Sequence, residues 1–117
     1  MIKNGKPYSI ENGYEDAGLI CDLEKDEQEE VMHYVKESFI KANRIMHGRT
    51  SYGMKHLIQS ATNIYMTNNQ FKDLMLICGF ETDNVNTLNW EFNVSRKSPA
   101  FDKDYIYVSH NKKFYKN

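Results

Sequence analysis

Between residues 25 and 46, apolar side chains recur every third or fourth position: Val31, Tyr34 with Val35, Phe39, Ala42, then Ile45 with Met46. That spacing places them on one face of a helix and predicts a first helix over about 25–46. Asp26 with Glu29 forms a capping box at its start, or Asp22 caps an earlier turn, and Gly48 supplies the stop. A second helix follows Thr50 and Ser51, with Met54, Leu57, Ile58 and Ala61 as its stripe, and Ile64, Tyr65 and Met66 form a short apolar connection. The third helix has the clearest ends. Thr67 and Gln70 make a capping box, Phe71, Leu74, Met75 and Cys78 share a face, and Gly79 closes it with Phe80 packing back.

After a polar loop over 81–87 the period changes to two. Leu88, Trp90, Phe92 and Val94 alternate with Asn89, Glu91, Asn93 and Ser95, which predicts a strand with one buried face. Residues 96–100 break it, and Tyr105, Ile106, Tyr107 and Val108 predict a second strand, completing a β-hairpin over 88–110. Residues 1–24 read as an irregular acidic segment with a short strand at 8–10 and a turn at Asn12 and Gly13, and 111–117 as a basic aromatic tail. The expectation is a single α+β domain over 1–117, a three-helix core over 25–80 followed by the hairpin. That order is winged helix-turn-helix-like, with the third helix as recognition helix and the loop at 96–103 as wing.

A length of 117 residues suits one domain, and 40% hydrophobic content suits a globular core. No apolar run is long enough to span a bilayer, and the two lysines near the N-terminus precede no apolar stretch of a signal peptide. The expected compartment is the cytoplasm. Cys21 and Cys78 then read as free thiols, and the sequon at Asn93 has no role without secretion.

Charge is polarised although the net value is −1. Residues 11–30 hold nine acidic residues against Lys25, whereas 31–117 hold twelve Lys or Arg against seven Asp or Glu. The acidic run serves a solvated first helical turn, or it mimics a phosphate backbone.

The sequence offers no catalytic constellation. His33, His47, His56 and His110 have no metal-ligand spacing, no glycine-rich phosphate loop occurs, and neither cysteine lies in a nucleophile context. The reading is therefore a non-enzyme with no cofactor and no metal.

Three segments remain as contact surfaces. Arg44, Arg49, Ser51, Tyr52, Lys55 and His56 gather bases, capping hydroxyls and a helix N-terminus, which suits a phosphate or carboxylate. Asn68, Asn69, Gln70 and Lys72 open the third helix, where amides read base edges or simply cap. Arg96 and Lys97, with Lys103, Lys112, Lys113 and Lys116 and the nearby tyrosines, grip a nucleic-acid backbone or form a solvated surface.

The run Ser51-Tyr52-Gly53-Met54-Lys55-His56, the set Asn69, Phe71, Lys72 and Met75, the pair Gly79-Phe80, and Asn89-Trp90 followed by Phe92-Asn93-Val94-Ser95 carry a resemblance. The chain resembles, over about 44–98, a group of small uncharacterised accessory proteins of phages and mobile elements of Gram-positive bacteria. That group commonly has a glutamate three residues after the histidine, where this chain has Gln59. The resemblance implies an accessory gene of a mobile element, a setting that includes anti-CRISPR proteins. The expected function is a non-catalytic inhibitor of a host nucleic-acid-handling defence complex, binding a host defence protein or nucleoprotein. The alternative is a winged-helix DNA-binding transcriptional regulator, for which double-stranded DNA is the partner and a homodimer the natural state.

Overall fold

In the computed structural model, which describes residues 1–11 and 14–115, the chain opens with two small antiparallel ribbons. Strand β1 (Ile2–Lys3) pairs with β2 (Lys6–Pro7), and β3 (Ser9–Glu11) pairs with β4 (Tyr14–Asp16). The expected turn at Asn12 and Gly13 and the tail residue Lys116 lie outside the described residues. A one-turn helix at Ile20–Asp22 leads into α1 (Lys25–Ser38), then α2 (Ser51–Thr62) and α3 (Asn68–Ile77). Strands therefore come before the helices, and the fold is α+β with three helices and two two-stranded sheets.

The sequence expectation fails at the far end: no hairpin follows the helices, and the winged arrangement is absent among the described residues. The strip at 90–94 does bury its alternate side chains, with Trp90, Phe92 and Val94 essentially inaccessible. Its partners are loops instead of a second strand, with bridges from Val94 to Lys41 and from Phe92 to Thr82. Residues 105–109 go elsewhere and lie across α1, because the Tyr105 hydroxyl is 2.9 Å from Ser38 Oγ and Tyr107 OH donates to Glu30 Oε1 at 2.6 Å.

The same loop pairing shortens α1. Phe39 is extended, with φ −114° and ψ 127°. Ile40 N donates to Ser98 Oγ (2.8 Å), Ala42 N to Asn93 O (2.8 Å) and Met46 N to Phe92 O (2.9 Å). Backbone groups that would have extended the helix are satisfied by the 92–98 strip. Helix α1 starts at Lys25, where the spacing puts it, but its cap is Glu24 with Glu27 in place of Asp26 with Glu29: Glu27 accepts from Glu24 N at 3.3 Å. Asp22 caps the preceding turn, accepting from Leu19 N at 2.8 Å.

Helices α2 and α3 follow their local signals. Asn63 ends α2 in the left-handed region at φ 62°. Thr67 Oγ1 accepts from Gln70 N (3.1 Å) while Gln70 Oε1 accepts from Thr67 N (2.9 Å), a reciprocal capping box. Gly79 at φ +87° closes α3, with Phe80 N donating to Met75 O and Gly79 N to Leu76 O, each at 3.0 Å. This is a Schellman ending. The core lies between the three helices and the 90–94 strip, and includes Val31, Val35, Met54, Ile58, Phe71 and Leu74.

Candidate functional site

The expected third-helix contacts are not on the surface. Asn68, Asn69 and Lys72 have no accessible area, and Gln70 is buried. The N-terminal ribbons cover this end of α3 and take up its polar groups. Asn69 Nδ2 donates to Pro7 O and Gly18 O, both at 2.8 Å, while its Oδ1 accepts from Ser9 Oγ at 2.9 Å. Lys72 Nζ donates to Ser9 Oγ at 2.6 Å and lies 4.7 Å from the Trp90 ring centroid. Asn68 Nδ2 bonds Leu88 O and Asn89 Oδ1. No base edge can reach these amides, so α3 is a structural helix and no recognition helix.

Part of the acidic run is also turned inward or paired, while Glu15, Glu24 and Glu29 stay exposed. Asp16 accepts from Gly18 N and Asn69 N, and Asp26 pairs with Lys113 at 2.7 Å. The Lys113 hydrogen bond holds the Asp26 carboxyl below its ordinary range and raises the ammonium. Glu30, expected on a solvated first turn, is fully buried. It accepts from Tyr107 OH, from His110 N (3.2 Å) and from Asn111 N (3.1 Å). Desolvation is the largest single influence and pushes the Glu30 carboxyl up. The bonds from Tyr107, Ser109, Asn111 and His110 together outweigh it and hold the group below its ordinary value. Tyr107 is pushed the other way, first by burial and then by its bond to Glu30. Its hydroxyl also lies 2.8 Å from His33 Nδ1. One sequence signal marks this site: Glu30 stands one turn before Tyr34, on the core face of α1.

Arg96 and its surroundings form a loop lock. Arg96 Nη2 donates to His47 O at 2.6 Å, and Glu91 takes His47 Nδ1 at 2.9 Å and Gly48 N at 2.6 Å. The Glu91 bond raises the His47 imidazole's pKa, and the same bond keeps the Glu91 carboxyl low. Arg44 and Lys97 are exposed beside it.

At the entrance to α2 the expected residues divide. Ser51 points inward and bonds Trp90. Tyr52 stays 54% exposed, and its ring centroid lies 4.7 Å from that of His56. Lys55 is buried, and its ammonium lies 5.3 Å from the Tyr52 ring centroid and 5.2 Å from that of Tyr65, itself 60% exposed. Arg49 stacks over Phe101 at 4.2 Å. The result is an open aromatic surface with cations seated on rings, a geometry in which each cation is attracted by the ring face.

Phe101 also lines a cleft of about 700 Å³ that sequence reasoning missed. Leu57 and Ala61 from α2 form one wall, and Tyr105, Tyr107 and Phe114 form much of the other. Its parts come from three distant stretches of chain, so no local pattern announces it. The aromatic surface and the cleft thus share helix α2. Among the described residues, no group of three or more His, Cys, Asp or Glu could hold a metal ion, and no helix is long and apolar enough to cross a membrane. Cys21 and Cys78 are free, and burial raises the Cys78 thiol.

No protein-family model, curated protein or solved structure matches the chain.

Proposed function

We propose that the protein is a non-catalytic binding module of the bacterial cytosol that acts through the outer surface of α2. The observation carrying this reading is the joint exposure of Tyr52, His56 and Tyr65 around Lys55, beside an aromatic cleft. Exposed aromatics next to a pocket are the usual anchors of protein interfaces, where a partner side chain fills the pocket and the rings exclude water around it. The partner class follows from the mobile-element resemblance. It is a host nucleic-acid-handling defence complex, which the module inhibits by occupying a protein surface.

Co-purification with a panel of host effector complexes, followed by a nucleic-acid cleavage assay, tests the proposal. The expected result is a stable complex with one effector, loss of its cleavage, and loss of both effects in Tyr52→Ala/Tyr65→Ala. Absence of complex and of inhibition across the panel would overturn the inhibitor reading.

A further inference from the structure

The first turn of α2 lacks the side-chain cap that a helix start ordinarily carries. Ser51 N donates to Trp90 O and Met54 N to Thr50 O, but among the described residues no acceptor meets the N–H groups of Tyr52 and Gly53. Thr50, at the N-cap, lends no side-chain oxygen, and no acidic residue stands in the turn. The turn is also open from outside: Tyr52 and Gly53 are exposed, and a Cβ added to Gly53 meets nothing within 4 Å. A glycine inside a helix lowers its stability and allows another group to approach the backbone closely.

Lys55 adds an independent observation. The residue is only 6% exposed, yet its ammonium forms no ion pair and donates to no oxygen among the described residues. It lies over the rings of Tyr52 and Tyr65. Tyr52 stands three residues earlier, so the side chain runs back towards the start of the helix, as helical side chains lean. A buried ammonium with unused donors is costly unless an anion meets it. The chain supplies none nearby in sequence, because no Asp or Glu occurs between Glu37 and Asp73. Asp73 is taken by Ile20 N, and Glu91, next to Trp90, by His47 Nδ1 and Gly48 N.

We propose that this turn binds a phosphate group of a nucleic-acid strand. Two backbone N–H groups, the positive end of the helix dipole and the Lys55 ammonium serve the same anion. Donors arriving from the helix end and from its side suit a tetrahedral phosphate, with acceptor oxygens in several directions, better than a planar carboxylate. The exposed rings of Tyr52, His56 and Tyr65 offer stacking surfaces to neighbouring bases, which favours a strand over free phosphate. The site lies within the α2 contact proposed above and rests on that reading for its partner: it adds the nucleic acid carried by the effector to the protein surface.

Titration of the isotope-labelled full chain with sodium phosphate, a nucleoside monophosphate and a single-stranded oligonucleotide, at matched ionic strength and read by amide spectra, tests this. The expected result is a saturable shift of the Tyr52 and Gly53 amides with each, the oligonucleotide binding about tenfold or more tighter than phosphate. Lys55→Met keeps an apolar side chain in place and is expected to weaken binding about tenfold. Gly53→Asp brings a carboxylate to the site and is expected to abolish binding, while the thermal midpoint holds or rises because an acid in the first turn favours the helix. Tyr52 and Gly53 amides that do not shift overturn the proposal, as does an oligonucleotide bound equally well by Gly53→Asp. An oligonucleotide no tighter than phosphate overturns the strand as ligand. The titration needs no effector, so its failure leaves the protein contact of α2 standing, and an effector panel without a complex leaves the titration unaffected.

Discussion

Ser51 and Trp90 exchange two hydrogen bonds: Ser51 N donates to Trp90 O at 2.7 Å, and Trp90 N donates to Ser51 Oγ at 3.0 Å. Both residues are fully buried, so the first residue of α2 and the chain's single tryptophan are fastened as one unit. Ser51→Ala keeps the first bond and leaves the Trp90 N–H without an acceptor. The expected loss is about 1–3 kcal/mol, the cost of an unmet buried donor. For a chain of this size that is a fall of roughly 4 °C in thermal midpoint per kcal/mol. A calorimetric scan of parent and variant checks it, and an unchanged midpoint would contradict the assignment.

Glu30 makes the attachment of residues 105–111 sensitive to acid. Its folded-state pKa is lower than its ordinary value, so the carboxylate's contribution is complete above about pH 4.3 and is lost as pH falls through the folded value. The groups facing it are the Tyr107 hydroxyl, which His33 shares, Ser109, and the N–H groups of His110 and Asn111. Amide exchange at His110 and Asn111, corrected for intrinsic rates, is therefore expected to accelerate below about pH 4.3. Glu30→Gln is expected to exchange faster at pH 7 and to lack the acid step. A parent protein whose two amides show no acid step would refute the role given to Glu30.

Asn69 ties two stretches of the N-terminal segment, 7–9 and 16–18, to α3. Its side chain serves Pro7, Ser9 and Gly18, and its N–H reaches Asp16 Oδ2 at 3.3 Å. Asn69→Ala strands the Pro7 and Gly18 carbonyls and is expected to destabilise by about 3 kcal/mol. The strands β1–β4 are also expected to open before the helices. Limited proteolysis is the direct check: early cleavage before residue 20 supports the tie, and cleavage distributed as in the parent rejects it.

The helices were legible where both ends carry local chemistry. Thr67, Gln70 and Gly79 bound α3 by contacts within a few residues, and periodicity supplied the rest. Phe39, Ala42 and Met46 misled because they keep helical spacing after the chain has left the helix. What ends α1 is the 92–98 strip, more than fifty residues away. The alternation at 90–94 correctly gave a buried face, but a period of two does not say which strand or loop lies alongside. The site shows the same division. Tyr52 and His56 lie on the open face of α2, one turn apart, as their spacing requires. Asn68, Asn69 and Lys72 looked like surface readers because amides and lysines usually are exposed. Only the N-terminal ribbons folding over them make them interior groups.

The α2 surface predicts variants that separate binding from folding. Tyr52 and Tyr65 are more than half exposed, and their rings meet Lys55 and, for Tyr52, His56. Replacing either by Ala removes a cation–π contact of about 0.5–1 kcal/mol at an exposed site and little core packing. Thermal midpoints of Tyr52→Ala and Tyr65→Ala are therefore expected within a few degrees of the parent, whereas Ser51→Ala, one residue away, falls further. Partner capture should follow the reverse order, with each tyrosine variant losing at least tenfold in affinity if these rings anchor the interface. Ser51→Ala should retain capture at a temperature where it is folded. Measuring capture and midpoint on the same three preparations separates the two roles. Tyrosine variants that bind as the parent does would move the contact surface away from α2.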